Sequence, residues 1–263
     1  RKRFQGYNWN VMEIDAHDYG QIEKAIRKAR REKNRPTIII SHSHIAHGSP
    51  NKHDTAESHG APLGEDEVKA SKRNLGLPEN EDFYVPEKVR ELFDKRLKKM
   101  KRKAAKWERE FKKYSAAYPG KAEEWKKQFE DILPENLKEC APRFDLEKPV
   151  ATRSASGKVI QEIAKAVPWL VGGSADLAPS TKTIIEDSES VGPNSFGGRN
   201  LHFGVREHAM CAVLNGMALH GGLRVYGATF FVFADYCRPS IRLAAIMKLP
   251  VIYVFTHDSF YVG

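Results

Sequence analysis

Short apolar runs alternating with helical stretches constrain this chain more than any other feature of its 263 residues. Residues 9–15 are strand-like. Asp18 stands where it can cap a helix, with Gln21 three residues on, as in a capping box. Ile22, Ala25, Ile26 and Ala29 supply that helix with an apolar face. Pro36 leads into Thr37-Ile38-Ile39-Ile40, a run that reads as a buried strand. Strand, helix and strand at these spacings predict a parallel sheet. The alternation returns later in the chain. A helix is predicted over 156–167, a strand over 169–173, a loop-rich stretch over 174–199 and a strand over 201–205. A helix over 207–220, a strand over 223–229, a helix over 236–247 and a strand over 251–256 follow. The fold class is α/β, with two parallel-sheet units.

The two units are separated by a helical, linker-like stretch. Val89, Phe93, Leu97, Met100, Ala104, Trp107 and Phe111 fall three or four residues apart and form one apolar stripe. Pro119-Gly120 breaks it; Trp125, Phe129 and Ile132 make a second, shorter stripe, and Pro134, Pro142 and Pro149 punctuate an irregular crossing. The expected domains are 1–85, a helical linker over 86–149, and 150–263. The formal charge of +9 comes from one segment: residues 88–113 hold thirteen Lys or Arg against four acids. Such a helix can be a nucleic-acid footprint, but no stacking aromatics or nucleic-acid motif accompany it, so a solvated face is the better reading. No apolar run approaches the ~18 residues of a membrane helix. Cys140, Cys211 and Cys237 are an odd number with no CxxC, which argues against a disulfide framework or zinc ribbon and for a reducing, cytoplasmic setting.

Several positions are candidates for chemistry. In Gly204-Val205-Arg206-Glu207-His208-Ala209 the Glu207 carboxylate falls at a helix start, where backbone N–H groups favour negative charge; a first-turn Glu is also common without a function. Phe230, Phe233 and Tyr236 are three apart, on one side of a helix, and make either core or an aromatic wall for a flat heterocycle. Residues 42–66 form a polar loop dense in histidine: His42, His44, His47, His53 and His59. Its spacing matches no zinc signature, and a phosphate or hydroxyl site built from His and backbone amides is better supported than a metal site. His17, His202 and His220 are read as structural. Arg153 and Ser180 are placed on loops flanking strands and His257 on a loop after one, where ligands of open α/β sheets gather.

The ordered set of motifs resembles transketolase over nearly the whole chain, least across 98–148. The set runs Gly48-Ser49-Pro50-Asn51-Lys52, His59-Gly60-Ala61-Pro62-Leu63-Gly64, Gly172-Gly173-Ser174-Ala175-Asp176-Leu177, Gly204-Val205-Arg206-Glu207-His208-Ala209, Ala228-Thr229-Phe230 and Thr256-His257-Asp258-Ser259. The family more commonly carries Lys, Thr and Gly where this chain has His42, Ser43 and Ala46.

The resemblance implies two thiamine diphosphate-binding-type parallel-sheet domains, the rear of a diphosphate-side domain and most of a pyrimidine-side domain, both truncated. The expectation is an internal segment, ending at Tyr261-Val262-Gly263 just past a strand and inactive alone. It further implies transfer of a two-carbon ketol unit between sugar phosphates, thiamine diphosphate as cofactor, and a homodimer, with no nucleic-acid or membrane partner. Glu207 would meet the aminopyrimidine ring, with Phe233, Phe230 and Tyr236 as its apolar wall. Ile45 and His59 would touch the cofactor, His59 also the reacting hydroxyls. Arg153, Ser180 and His257 would hold the sugar's terminal phosphate. A Mg2+ or Ca2+ ion would accompany the diphosphate; the family's metal ligands fall upstream of Arg1, so no residue here is assigned to it. The alternatives are another thiamine enzyme, such as a phosphoketolase, and a non-catalytic or nucleic-acid-binding module built on the basic helix.

Overall fold

A computed structural model describes residues 1–145 and 147–259; Tyr261-Val262-Gly263 lies outside the described residues. The chain divides into two compact units, Arg1–Arg102 and Lys103–Gly263. The division falls inside the stretch that the sequence reads as a linker.

In the first unit a short helix α1 (Lys2–Gly6) precedes β1 (Asn10–Asp15), α2 (Tyr19–Arg31) and β2 (Thr37–His42). The strands pair in parallel, Met12 opposite Ile39. The cap forms as expected: Asp18 accepts from the Gln21 backbone N–H at 3.0 Å. The Gln21 side chain reaches past the cap residue and accepts from the Asp15 N–H at 3.0 Å, which ties α2 to the end of β1. One expectation fails here. The Ile38–Ile40 run is half-buried rather than buried, because the described sheet has only two strands to cover it. Of the α2 face only Ala25 is buried, and Ile26 is 49% exposed. A 3-10 turn, Ala56–His59, and α3 (Glu65–Asn74) follow, the latter unforeseen. Then comes α4 (Glu87–Ala117), which runs through the division. Its apolar stripe exists, but none of its residues is buried.

The second unit continues with α5 (Pro119–Phe129), α6 (Thr152–Ala166), β3 (Leu170–Ser174), α7 (Ala178–Thr181), β4 (Asn200–His202), α8 (Glu207–His220), β5 (Arg224–Phe230), α9 (Ala234–Ile246) and β6 (Val251–Thr256). Its four strands are all parallel, in the order β4-β3-β5-β6. Alternation along β5 separates two cores. Tyr226 joins Ala164, Val167, Trp169, Leu170 and Ile185. Its neighbour Val225 joins Ala175, Met210, Cys211, Leu214 and Cys237. Helices therefore cover both faces of the sheet. Gly227 lets α8 approach closely, since a Cβ there would stand 2.4 Å from Leu214 Cδ1. No helix among the described residues is long and apolar enough to cross a membrane.

Candidate active site

The strand order of the second sheet determines where a crevice opens. From β3 the chain passes to β4 on one side, and from β5 to β6 on the other. The segments leaving β3 and β5 diverge, and ligands of open α/β sheets bind at such a point beyond the carboxyl ends of the strands. A cleft of about 510 Å³ lies there, lined by Ala175, Asp176 and Leu177 after β3, Val205 and Glu207 after β4, and Phe233 and Tyr236 after β5. The turn after β3 is tied by Ser174 Oγ, which accepts from the Leu177 N–H at 3.0 Å.

Glu207 is the first residue of α8 and only 8% exposed. The turn before it needs Gly204, whose φ is +67° and whose missing Cβ makes room for the Arg206 guanidinium. That guanidinium donates to the Phe203 carbonyl at 3.0 Å. Among the described residues, no group hydrogen-bonds or ion-pairs with the Glu207 carboxylate. Its oxygens open onto the cleft, where the helix N-terminus favours their negative charge and a donor entering the cleft would find a free acceptor.

The frame behind Glu207 is rigidly packed. One helical turn on, the Cys211 thiol donates to the sulfur of Cys237 on α9; this bond and burial push the Cys211 thiol up. Asn215 Nδ2 donates to the Ser240 carbonyl at 2.8 Å. The Tyr253 hydroxyl donates to Asn215 Oδ1 at 2.9 Å, with burial pushing that hydroxyl up to about 12. Ser240 Oγ lies 3.1 Å from His208 Nδ1.

Phe230, Phe233 and Tyr236 form the row that their spacing suggests, with ring centroids 6.0 and 6.2 Å apart. They do not share one helix, however: Phe230 ends β5, Phe233 sits in a 3-10 turn and Tyr236 in α9. Phe233 and Tyr236 face the cleft with Glu207, whereas Phe230 packs on His257 at 3.9 Å. His257 meets Arg153, Nε2 to Nη1, at 2.5 Å. Arg153 stands in the first turn of α6 and Ser180 in the short helix α7, not on the loops expected. Among the described residues, no hydrogen bond joins the Ser180 hydroxyl to the Arg153–His257 pair.

Ile45 and His59 belong to the first unit, and both are exposed. The loop that carries them is braced by Glu67, which sequence reasoning missed. The Glu67 carboxylate accepts from Ser49 Oγ, from the Asn51 N–H at 2.9 Å and from Asn51 Nδ2 at 2.9 Å. These bonds hold its carboxyl down at about 2. His17, read as structural from the sequence, contacts this loop: its Nε2 accepts from the His44 N–H at 3.3 Å, and its ring stacks on His47 at 3.7 Å.

A flat, partly cationic heterocycle suits the cleft. Its ring would lie on Phe233 and Tyr236, and an N–H of the ring would meet the unpartnered Glu207 carboxylate. Fold and cleft together define the class: an α/β protein with a ligand cleft beyond the carboxyl ends of its parallel strands. Residues 1–134 match the family model described as "Transketolase, thiamine diphosphate binding domain", and residues 148–263 match "Transketolase, pyrimidine binding domain". The chain belongs to the transketolase family. It is 50% identical to the transketolase of Geobacillus stearothermophilus over all of its own length and 40% of that protein's. The transketolase structure from Leishmania mexicana superposes with a TM-score of 0.88 at 36% identity, covering 100% of this chain and 39% of that one. For the Pichia stipitis transketolase in complex with sedoheptulose-7-phosphate, the TM-score is 0.86 at 34% identity, covering 100% and 40%. The chain thus spans about two-fifths of the length of the relatives it matches.

Proposed function

We propose that the intact protein is a transketolase, moving a two-carbon ketol unit from a ketose phosphate to an aldose phosphate, and that Glu207 is its cofactor-activating carboxylate. The observation that carries this reading is the Glu207 carboxylate, without a protein partner among the described residues, on the wall of a cleft that Phe233 and Tyr236 also line. Thiamine diphosphate, when bound, supplies a carbon nucleophile and an electron sink. The chain's own part is to hold and move protons. The Glu207 carboxylate holds the proton it shares with a pyrimidine ring nitrogen, which sets that ring's tautomer. Phe233 and Tyr236 cover the ring and keep water from the carboxylate, with Phe230 behind them. Ile45 and His59 serve the cofactor from the diphosphate side, His59 as a polarising or proton-transferring imidazole. The Arg153–His257 pair and Ser180 bind the sugar's terminal phosphate, Arg153 by its fork of donors.

A homodimer fits the uncovered apolar surface beside the cleft, where Val205, Phe231, Val232 and Tyr236 are all more than half exposed. A Mg2+ or Ca2+ ion belongs with the diphosphate, and no residue of this chain is assigned to it. Three widely spaced cysteines, Cys140, Cys211 and Cys237, with no CxxC favour a cytoplasmic setting.

The decisive experiment is Glu207→Ala in the intact protein. Ketol transfer should fall by about 10²–10⁴, with the far-UV circular dichroism unchanged. Turnover within about tenfold of wild type, less than one acid–base group contributes, would overturn the assignment.

A further inference from the structure

The first unit gathers imidazoles and a carboxylate that ketol transfer does not use. We propose that His44, His53 and Asp54 form a binding site for a transition-metal dication of the zinc type, separate from the cation of the diphosphate.

Geometry carries the argument. One donor atom from each of these three residues lies within 4.8 Å of the others. His44 Nδ1 is 2.7 Å from Asp54 Oδ2, and His53 Nδ1 is 3.5 Å from the same oxygen. A tetrahedral zinc ion with bonds of about 2.0–2.1 Å separates its ligand atoms by about 3.3 Å. The His53–Asp54 spacing already meets that, and the His44–Asp54 contact must open by only a fraction of an ångström. The neutral His44 ring frees Nδ1 by carrying its proton on Nε2 instead, so the ion takes the place of one hydrogen bond.

The backbone presents this set. Asp54 holds a left-handed φ of +58°, and its N–H closes onto the Ile45 carbonyl at 3.1 Å. That bond brings the 53–54 turn back beside His44. The adjoining rings reinforce the patch: His44 and His53 stand 4.9 Å apart, and His17 stacks on His47 next to them. All three proposed ligands are exposed, so the ion has open access and keeps water at its remaining position.

The donor chemistry selects the metal. Two imidazole nitrogens and one carboxylate oxygen suit Zn2+, Co2+, Ni2+ or Cu2+. Ca2+ wants six to eight oxygens, and Mg2+ an octahedral, largely oxygen shell.

The test uses the full, untagged protein, stripped with a chelator and held in excess Mg2+, so that hard-cation sites are filled. Co2+ is titrated, its visible absorption is followed, and Zn2+ is then used in competition. Wild type should bind one Co2+ that Zn2+ displaces. His53→Ala and Asp54→Asn should each weaken binding at least about tenfold, since even the outer-shell partner of a ligand contributes about that much. Both side chains are exposed, so circular dichroism should be unchanged in both variants. No binding below about 0.1 mM, the weak end of a specific site, would overturn the proposal. So would variants that bind as wild type does, because the ion would then sit elsewhere.

Discussion

The loop over 42–67 in the first unit and the cleft in the second are held by different forces. Ala25 is the only buried apolar side chain of the first unit among its described residues. Its loop keeps its shape through hydrogen bonds to one carboxylate, Glu67. The cleft instead stands on two apolar cores, with Leu214, Cys211, Val225 and Cys237 at zero exposure behind Glu207. A site held by packing is sensitive to lost volume and indifferent to pH. A site held by an ionised acceptor behaves the opposite way. The two halves of the proposed chemistry should therefore fail under different stresses.

The largest effect expected is on the packed side. Leu214→Ala empties the space between α8 and Gly227 and should cost about 2–5 kcal/mol. Denaturant unfolding followed by the fluorescence of buried Trp169, with the other tryptophans replaced, measures it. A cost below about 1 kcal/mol, outside the range for a filled core site, would mean that packing does not hold the cleft.

The Glu67 brace comes next and is read by pH. The Glu67 carboxyl is held down from 4.5 to about 2 by the hydroxyl and amide donors of Ser49 and Asn51. A depressed carboxylate contributes stability that is complete above its unfolded value and is lost as pH falls through the folded one. The loop should therefore loosen between about pH 4.5 and 2 while the cleft does not. Hydrogen exchange at the Asn51 and Lys52 amides, corrected for intrinsic rates, should show this. Glu67→Gln should abolish the pH dependence. An equal loosening of the α8 amides over the same range would erase the contrast.

The same contrast explains what the sequence discloses. Apolar runs made the second sheet legible, because a strand covered on both faces reads as continuous hydrophobicity. The Asp18 cap was legible because its partner Gln21 is three residues away. Glu67 was not, because α3 itself was unforeseen and the partners of its carboxylate lie 16 and 18 residues back. The Cys211–Cys237 bond and the approach of Asp54 to His44 escape notice for the same reason: both depend on how the chain turns back. The aromatic triplet was half legible. Spacing gave the row, but not the change from strand to 3-10 turn to helix that sends Phe230 to His257 and leaves Phe233 and Tyr236 at the cleft. The α4 stripe shows the converse error, since periodicity reports an amphipathic helix and not whether anything covers it.

The smallest effects compare two ion pairs of equal length, one in each unit. Arg224 Nη2 lies 2.6 Å from Asp131 Oδ2 and 2.7 Å from Oδ1, and the Arg224 side chain is 17% exposed. Arg27 Nη2 lies 2.6 Å from Glu23 Oε1, with both side chains about two-thirds exposed. Distance alone would rank them as equals. Solvent screens the second pair and leaves both long side chains free to move, whereas the first is fixed at one end and engages both carboxylate oxygens. Asp131→Asn should cost on the order of 1 kcal/mol, and Glu23→Gln only about 0.3–0.5 kcal/mol. Raising the salt concentration should erase the Glu23 effect and leave most of the Asp131 effect, because screening acts chiefly on exposed charge. Equal costs for the two substitutions at low salt would show that burial, the property that separates the two units, does not set the strength of their charged contacts.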